Sequence, residues 1–177
     1  MAGHALSLGA GVTSAGDERH RLVLVRHAKS SWDDPALSDH DRPLARRGHK
    51  AVKRMRPHLE ARGVRADVVL CSSARRTRQT LDGIEAGLGG PPRIEIEDGL
   101  YGAGADQILA RLARLDDAIA TAVLIGHNPG IADVVDLLAG TDQDVPTGAI
   151  ADLSFTGPWS ALGSATVSLD DLWRPRG

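Results

Sequence analysis

Three unbroken apolar runs constrain this chain more than anything else in it: "LVLV" at 22–25, "VVLC" at 68–71 and "AVLI" at 122–125. A strand with one wet face alternates apolar and polar side chains. A run without alternation is a strand buried on both faces, as in a parallel sheet with helices on either side. Amphipathic segments lie between the runs. Leu44, Gly48, Ala51, Val52, Met55 and Leu59 recur at helical spacing, in a helix that Pro57 should kink or restart and Gly63 should end. Residues 74–88 read as a second helix, 105–120 as a third with Ile108, Leu109, Leu112 and Leu115 on one face, and 130–140 as a fourth. The first strand is expected over 21–26, and "RIEIE" at 93–97 is a short alternating strand. The C-terminal "AIADLSFTG" and "ALGSATVSLDDL", joined by a Gly-Pro-Trp turn, read as an antiparallel pair at a sheet edge.

Strand and helix therefore alternate at short intervals. The expected fold class is α/β, a three-layer α/β/α sandwich with a mostly parallel central sheet and an antiparallel C-terminal edge. No linker divides it, so residues 20–177 form one domain, and 177 residues suffice for a real core. Residues 1–19, rich in Gly, Ala and Ser and without Lys or Arg before Arg19, read as a flexible N-terminal tail rather than a secretory signal.

Composition excludes several classes of partner. A formal net charge of −2 gives no global attraction to nucleic acid or an anionic membrane, and 3% aromatic residues offer no platform for stacked bases. No apolar run approaches the ~20 residues that cross a bilayer. Cys71 is the only cysteine, which rules out an intrachain disulfide and a Cys-based zinc cage and fits a reducing, cytoplasmic setting.

In open α/β sheets, ligands collect beyond the carboxyl ends of the strands. His27 and His127 each follow such an end, and "CSS" at 71–73 follows a third. Arg26, Lys29 and one or more of Arg75, Arg76 and Arg78 would gather at the same rim. Clustered cations need an anion, and phosphate suits the guanidinium fork. Two neutral imidazoles beside a phosphoryl group suggest a nucleophile and a hydrogen-bonding partner, with covalent phosphohistidine splitting the transfer into two steps. Most histidines are surface or satisfied core residues, and His4, His20, His40, His49 and His58 are assigned to that class.

"LVLVRHAKS", "CSSARRTRQT" and "VLIGHNPG", in this order, resemble the histidine phosphatase superfamily, with its phosphoglycerate mutase-like fold. Together with "DHDRPLARRG", the spacing is most similar to its short branch, the SixA-type phosphohistidine phosphatases, over residues 20–155. The resemblance implies that His27 is the phosphorylated nucleophile, that Arg26 binds phosphate and that His127 donates to the phosphoryl oxygens. The family's Ser-Pro-x-x-Arg-Ala-x-Gln-Thr pattern aligns on Gln79-Thr80 and makes Arg76 the second phosphate-binding arginine. Ser73 and Thr77 replace the pattern's Pro and Ala, which leaves Arg75 as the alternative one position away. Asp98, three residues before Tyr101-Gly102, is the implied general acid; the other branch would place an Asp after the second histidine, where Asn128 stands. Short-branch members also work without a conventional acid, which an imidazole leaving group tolerates.

Competing chemistries fail on spacing. A cysteine phosphatase needs an arginine six positions after its cysteine, and Thr77 stands there. "GLYGAG" puts Gln107 where G-x-G-x-x-G needs its last glycine, and no G-x-x-x-x-G-K-[ST] occurs. Histidines flanked by arginines would repel a dication, so no metal and no cofactor is expected. The basic run Arg42, Arg46, Arg47, Lys50, Lys53, Arg54 and Arg56 reads as a solvated helix face, or as a surface steering an anionic substrate. The short interval between Arg76 and Asp98 holds no cap of the kind mutases of the family use. The expectation is a metal-independent phosphatase acting on phosphomonoester or phosphoramidate bonds of a phosphorylated small molecule or a phosphohistidine-bearing protein. The alternative is a non-catalytic phosphate-binding module. No oligomeric state is implied.

Overall fold

Every side chain of the three apolar runs is fully buried. In the computed structural model, which describes residues 18–163 and 165–176, six strands form one sheet. They are β1 (Arg19–Arg26), β2 (Val68–Ser72), β3 (Arg93–Glu97), β4 (Thr121–Gly126), β5 (Ile150–Thr156) and β6 (Val167–Trp173). Their order across the sheet is β3-β2-β4-β1-β5-β6. The first four are mutually parallel; β5 runs antiparallel to β1, and β6 antiparallel to β5. The sheet is thus mostly parallel with an antiparallel C-terminal edge, as the sequence suggests.

Because successive strand side chains point to opposite faces, each apolar run feeds two cores. Val23, Val25, Val69, Cys71, Val123 and Ile125 lie in one cluster with Val52, Met55 and Leu59 of α1 (Arg46–Ala61) and Leu81 and Ile84 of α2 (Arg75–Ile84). Leu22, Leu24, Val68, Leu70, Ala122 and Leu124 lie in the other. There they meet Ile108 and Leu112 of α3 (Ala105–Leu112) and Ile131, Val134 and Val135 of α4 (Gly130–Ala139). Fully burying one such side chain is worth about 1.5–3 kcal/mol, so both layers of helices are held firmly to the sheet.

Several element boundaries differ from expectation: the helix expected over 74–88 ends at Ile84 and passes into a short 3-10 turn over Glu85–Gly87, and β6 begins only at Val167. Strand β1 starts at Arg19, because His20 is buried against Phe155 and Trp159 and its ring nitrogen meets the Ile119 carbonyl at 3.0 Å. Residues 1–17 of the expected tail lie outside the described residues. Helix α1 runs through Pro57, whose ring is on the exposed side while Met55 and Leu59 anchor both flanking turns in the core. Helix α3 stops at Leu112 because Asp116 and Asp117 spend their carboxylates on the backbone N–H groups of Ala118 and Trp159.

Two features position the site. The register pairs Arg26 with Gly126 and Cys71 with Ile125, so β1, β4 and β2 end level with one another. The start of α1 also touches the segment after His27: Ala45 N donates to Lys29 O at 2.8 Å, and a Cβ on Gly48 would run into that same carbonyl. Among the described residues, no helix is long and apolar enough to cross a membrane.

Candidate active site

The level strand ends bring two imidazoles together with their planes tilted by 57°. The His27 and His127 ring centroids are 5.0 Å apart, and both residues are buried. His27 Nδ1 lies 2.7 Å from its neighbour's carbonyl, Ala28 O, which can only accept. The proton therefore resides on Nδ1, and Nε2 keeps its lone pair. Arg76 Nε donates to that Nε2 at 3.3 Å.

Arg76 is the hub of the cluster. It sits in the first turn of α2, beyond the end of β2, where the helix N-terminus favours an anion. Besides His27 it reaches His127 Nδ1 at 3.3 Å and the Asp39 carboxylate at 3.0 Å, and it donates to the Asp39 carbonyl. His127 Nε2 is 2.8 Å from Ser72 Oγ, so the second histidine is gripped at both nitrogens. Arg75, by contrast, is exposed. Arg26 directs NH1 to the Val145 carbonyl at 2.9 Å, while its Nε is buried without a hydrogen-bond partner.

Asp39, to which the sequence motifs assign no role, is the carboxylate that the structure brings here. It joins Arg76, Arg42 at 2.7 Å and the Tyr101 hydroxyl at 2.8 Å. Tyr101, foremost, and the two guanidiniums hold it down to about 2, so it stays ionised. Tyr101 sets its ring edge against His127 and His40, and His40 reaches Ser73 Oγ at 3.0 Å. The signals available were an Asp39/Arg42 pair three apart and the chain's single tyrosine. Ser72 carried none.

Two expected site residues stand apart. Asp98 is exposed on the short turn after β3, and its carboxylate makes no hydrogen bond or ion pair among the described residues; only its carbonyl is used, by Tyr101 N. The segment delivers Tyr101 instead of a carboxylate. Lys29 is exposed and lines a neighbouring basic cleft. Cys71 is buried, and burial pushes its thiol up to about 12, which suits core packing and not nucleophilic attack. Among the described residues, no group of three or more His, Cys, Asp or Glu side chains could hold a metal ion.

Burial holds His27 down to about 3, reinforced by the positive charges of Arg76 and Arg26 and by His127. His127 is held to about 4 by burial and then by Arg76. The unfolded chain takes these protons near ~6.5, so the histidines cost no stability above that pH and destabilise the fold as pH falls towards 4 and 3. Each removes at most about 1.4 kcal/mol per pH unit in that window. Denaturant titrations at pH 7 and pH 5 should therefore show H27Q gaining on the wild type by about 1 kcal/mol or more at the lower pH. An unchanged gap would contradict a neutral, buried His27.

The arrangement can hold a tetrahedral anion between two imidazoles and two guanidiniums. The profile of the histidine phosphatase superfamily (branch 1) matches residues 22–103. A putative phosphohistidine phosphatase SixA from Nakamurella multipartitia superposes with a TM-score of 0.79 at 33% identity, covering 90% of this chain and 98% of that one. The putative SixA of Agrobacterium tumefaciens gives 0.77 at 27% identity, covering 88% and 98%. An uncharacterised Mycobacterium tuberculosis protein is 35% identical over 163 residues, 86% of this chain and all of that protein. Level strand ends, paired histidines and these likenesses lead to one conclusion: the chain belongs to the histidine phosphatase superfamily, on its SixA-type branch, and that membership supports phosphatase activity.

Proposed function

We propose that the chain hydrolyses phosphomonoester or phosphoramidate bonds, phosphohistidine among them, through a covalent phosphohistidine on His27. The observation that carries this reading is the 2.7 Å contact between His27 Nδ1 and Ala28 O. It leaves Nε2 unprotonated and aimed at the guanidinium of Arg76. In the first step the Nε2 lone pair forms the N–P bond while the bond to the leaving group breaks with its electron pair. The imidazolium that results keeps its Nδ1–H on the Ala28 carbonyl. Arg76 and Arg26 stabilise charge on the equatorial oxygens, and His127 Nδ1 donates to one of them. That donation uses the other tautomer of neutral His127, with its single proton on Nδ1 and the Ser72 hydroxyl turned to donate to Nε2. Water then attacks phosphorus, the N–P bond breaks with its electron pair returning to His27 Nε2, and the water's protons leave with the product phosphate and the solvent.

The two guanidiniums supply the positive charge that a metal provides elsewhere, so we read the reaction as metal-independent. A single buried thiol fits a cytoplasmic setting. The substrates that suit the site are a phosphorylated small molecule or a phosphohistidine-bearing protein. For both, the leaving group decides how much acid is needed. Imidazole departs protonated near neutral pH, whereas an alkoxide needs a donor.

Rapid quenching with a phosphohistidine peptide, nitrophenyl phosphate and an alkyl phosphate tests the proposal. The expected result is an acid-labile phosphoenzyme on His27 and slow turnover of the alkyl ester alone. If Asp98 supplies the acid, D98N slows that ester by about 10²–10⁴ and spares the other two; no change there assigns the acid to another group or leaves a site without one. Tight phosphate binding without a phosphoenzyme would make the chain a binding module and overturn the proposal.

A further inference from the structure

Between the start of α1, the segment after His27 and the C-terminal end lies a cleft of about 470 Å³, a volume in the range of small-molecule sites. Five cations line it: Lys29, Arg47, Lys50, Arg54 and Arg176. Arg47, Lys50 and Arg54 follow one face of α1, where like charges at this spacing repel. Other cations of this region are neutralised, Arg42 by Asp39, Arg56 by Glu60 and Arg62 by Asp152. Among the described residues none of the five has a carboxylate partner, and Arg54 instead meets a backbone carbonyl, that of Arg176, at 2.7 Å. A concave set of unpaired cations is a site for an anion.

The cleft shares two walls with the histidine site. On one side, Lys29 lies two residues beyond His27, and its carbonyl is tied to the start of α1. On the other, Pro146 and Thr147 line the cleft while their neighbours hold the catalytic segment. Val145 O takes Arg26 NH1, and Gly148 N donates to the carbonyls of Arg26 and His27 at 3.1 and 3.0 Å. The cleft is therefore built on the same two segments that carry His27 and hold Arg26.

Building on the phosphatase reading, we infer that the cleft is a second anion subsite. It binds a further phosphate or carboxylate of a small-molecule substrate whose scissile phosphoryl group lies against His27. Its volume, within the range of small-molecule sites, fits a small molecule. Charge-assisted contacts from several cations give such a substrate its advantage, and they act on binding, not on the chemical step.

Calorimetry at fixed ionic strength should compare alkane bisphosphates of increasing chain length with the matching monophosphates, on wild type and on the double variant K50A/R54A. Wild type is expected to bind at least one bisphosphate about tenfold more tightly than its monophosphate. The double variant should lose that preference while binding the monophosphate as before. Equal affinities at every chain length, or a preference that survives in the double variant, overturn the inference. If K50A/R54A weakens only an acidic phosphohistidine peptide, the cleft serves a protein surface and the small-molecule assignment falls. Nitrophenyl phosphate turnover, measured on the same samples, reports separately on the phosphatase reading, because the binding comparison holds whether or not the chain turns anything over.

Discussion

Replacing His27 by alanine should reduce phosphatase activity by about 10⁴–10⁶ while leaving a folded protein, because removing one main member of a catalytic unit disables the whole unit. The side chain is buried, yet it lies at the rim beyond β1 and not within either core cluster, so its removal takes little from the packing. Loss of the imidazole also removes a base that resists protonation, which should make the variant more tolerant of acid. Steady-state kinetics on nitrophenyl phosphate, with circular dichroism on the same preparation, reads both effects. Activity within about tenfold of wild type would remove His27 from the role of nucleophile.

The second large effect belongs to the arginines. R76A and R26A should each lower turnover by at least ~10², because each deletes fixed positive charge from a site largely shielded from water. Arg76 carries the additional task of orienting both imidazoles, so R76K should remain impaired: lysine keeps the charge but cannot reach His27, His127 and Asp39 from one planar group. R75A is the internal comparison. Arg75 is exposed, and its replacement should change turnover by no more than a few fold. A crippled R75A beside a mild R76A would mean that the neighbouring arginine, and not Arg76, meets the phosphate.

How far the sequence foretold this molecule follows from where each constraint originates. The runs 22–25, 68–71 and 122–125 were readable because burial on both faces is a local pattern, and so were histidines standing at two strand ends. Arg76 emerged from the order of motifs. Asp39 did not, because it lies in an irregular loop with Asp33, Asp34 and Asp41, and only tertiary folding selects which carboxylate meets Arg76. Tyr101 was passed over for the same reason, as its partners Asp39, His40 and His127 are all distant in sequence. Asp98 shows the converse. A position implied by resemblance turned out to face solvent, while the residue three along from it faces the site. The truncated α3 and the uninterrupted α1 mark the limits of periodicity, since carboxylates can end a helix and core anchors can carry one through a proline.

The level ending of β1, β4 and β2 has a thermodynamic consequence. The separation of the two histidines is set by backbone ladders in the middle of the sheet, since Arg26 pairs with Gly126 and His27 N itself donates to Gly126 O at 3.0 Å. Central strands exchange their amide protons only through the largest opening events. The backbone positions of the two histidines can therefore separate only when the centre of the sheet itself opens.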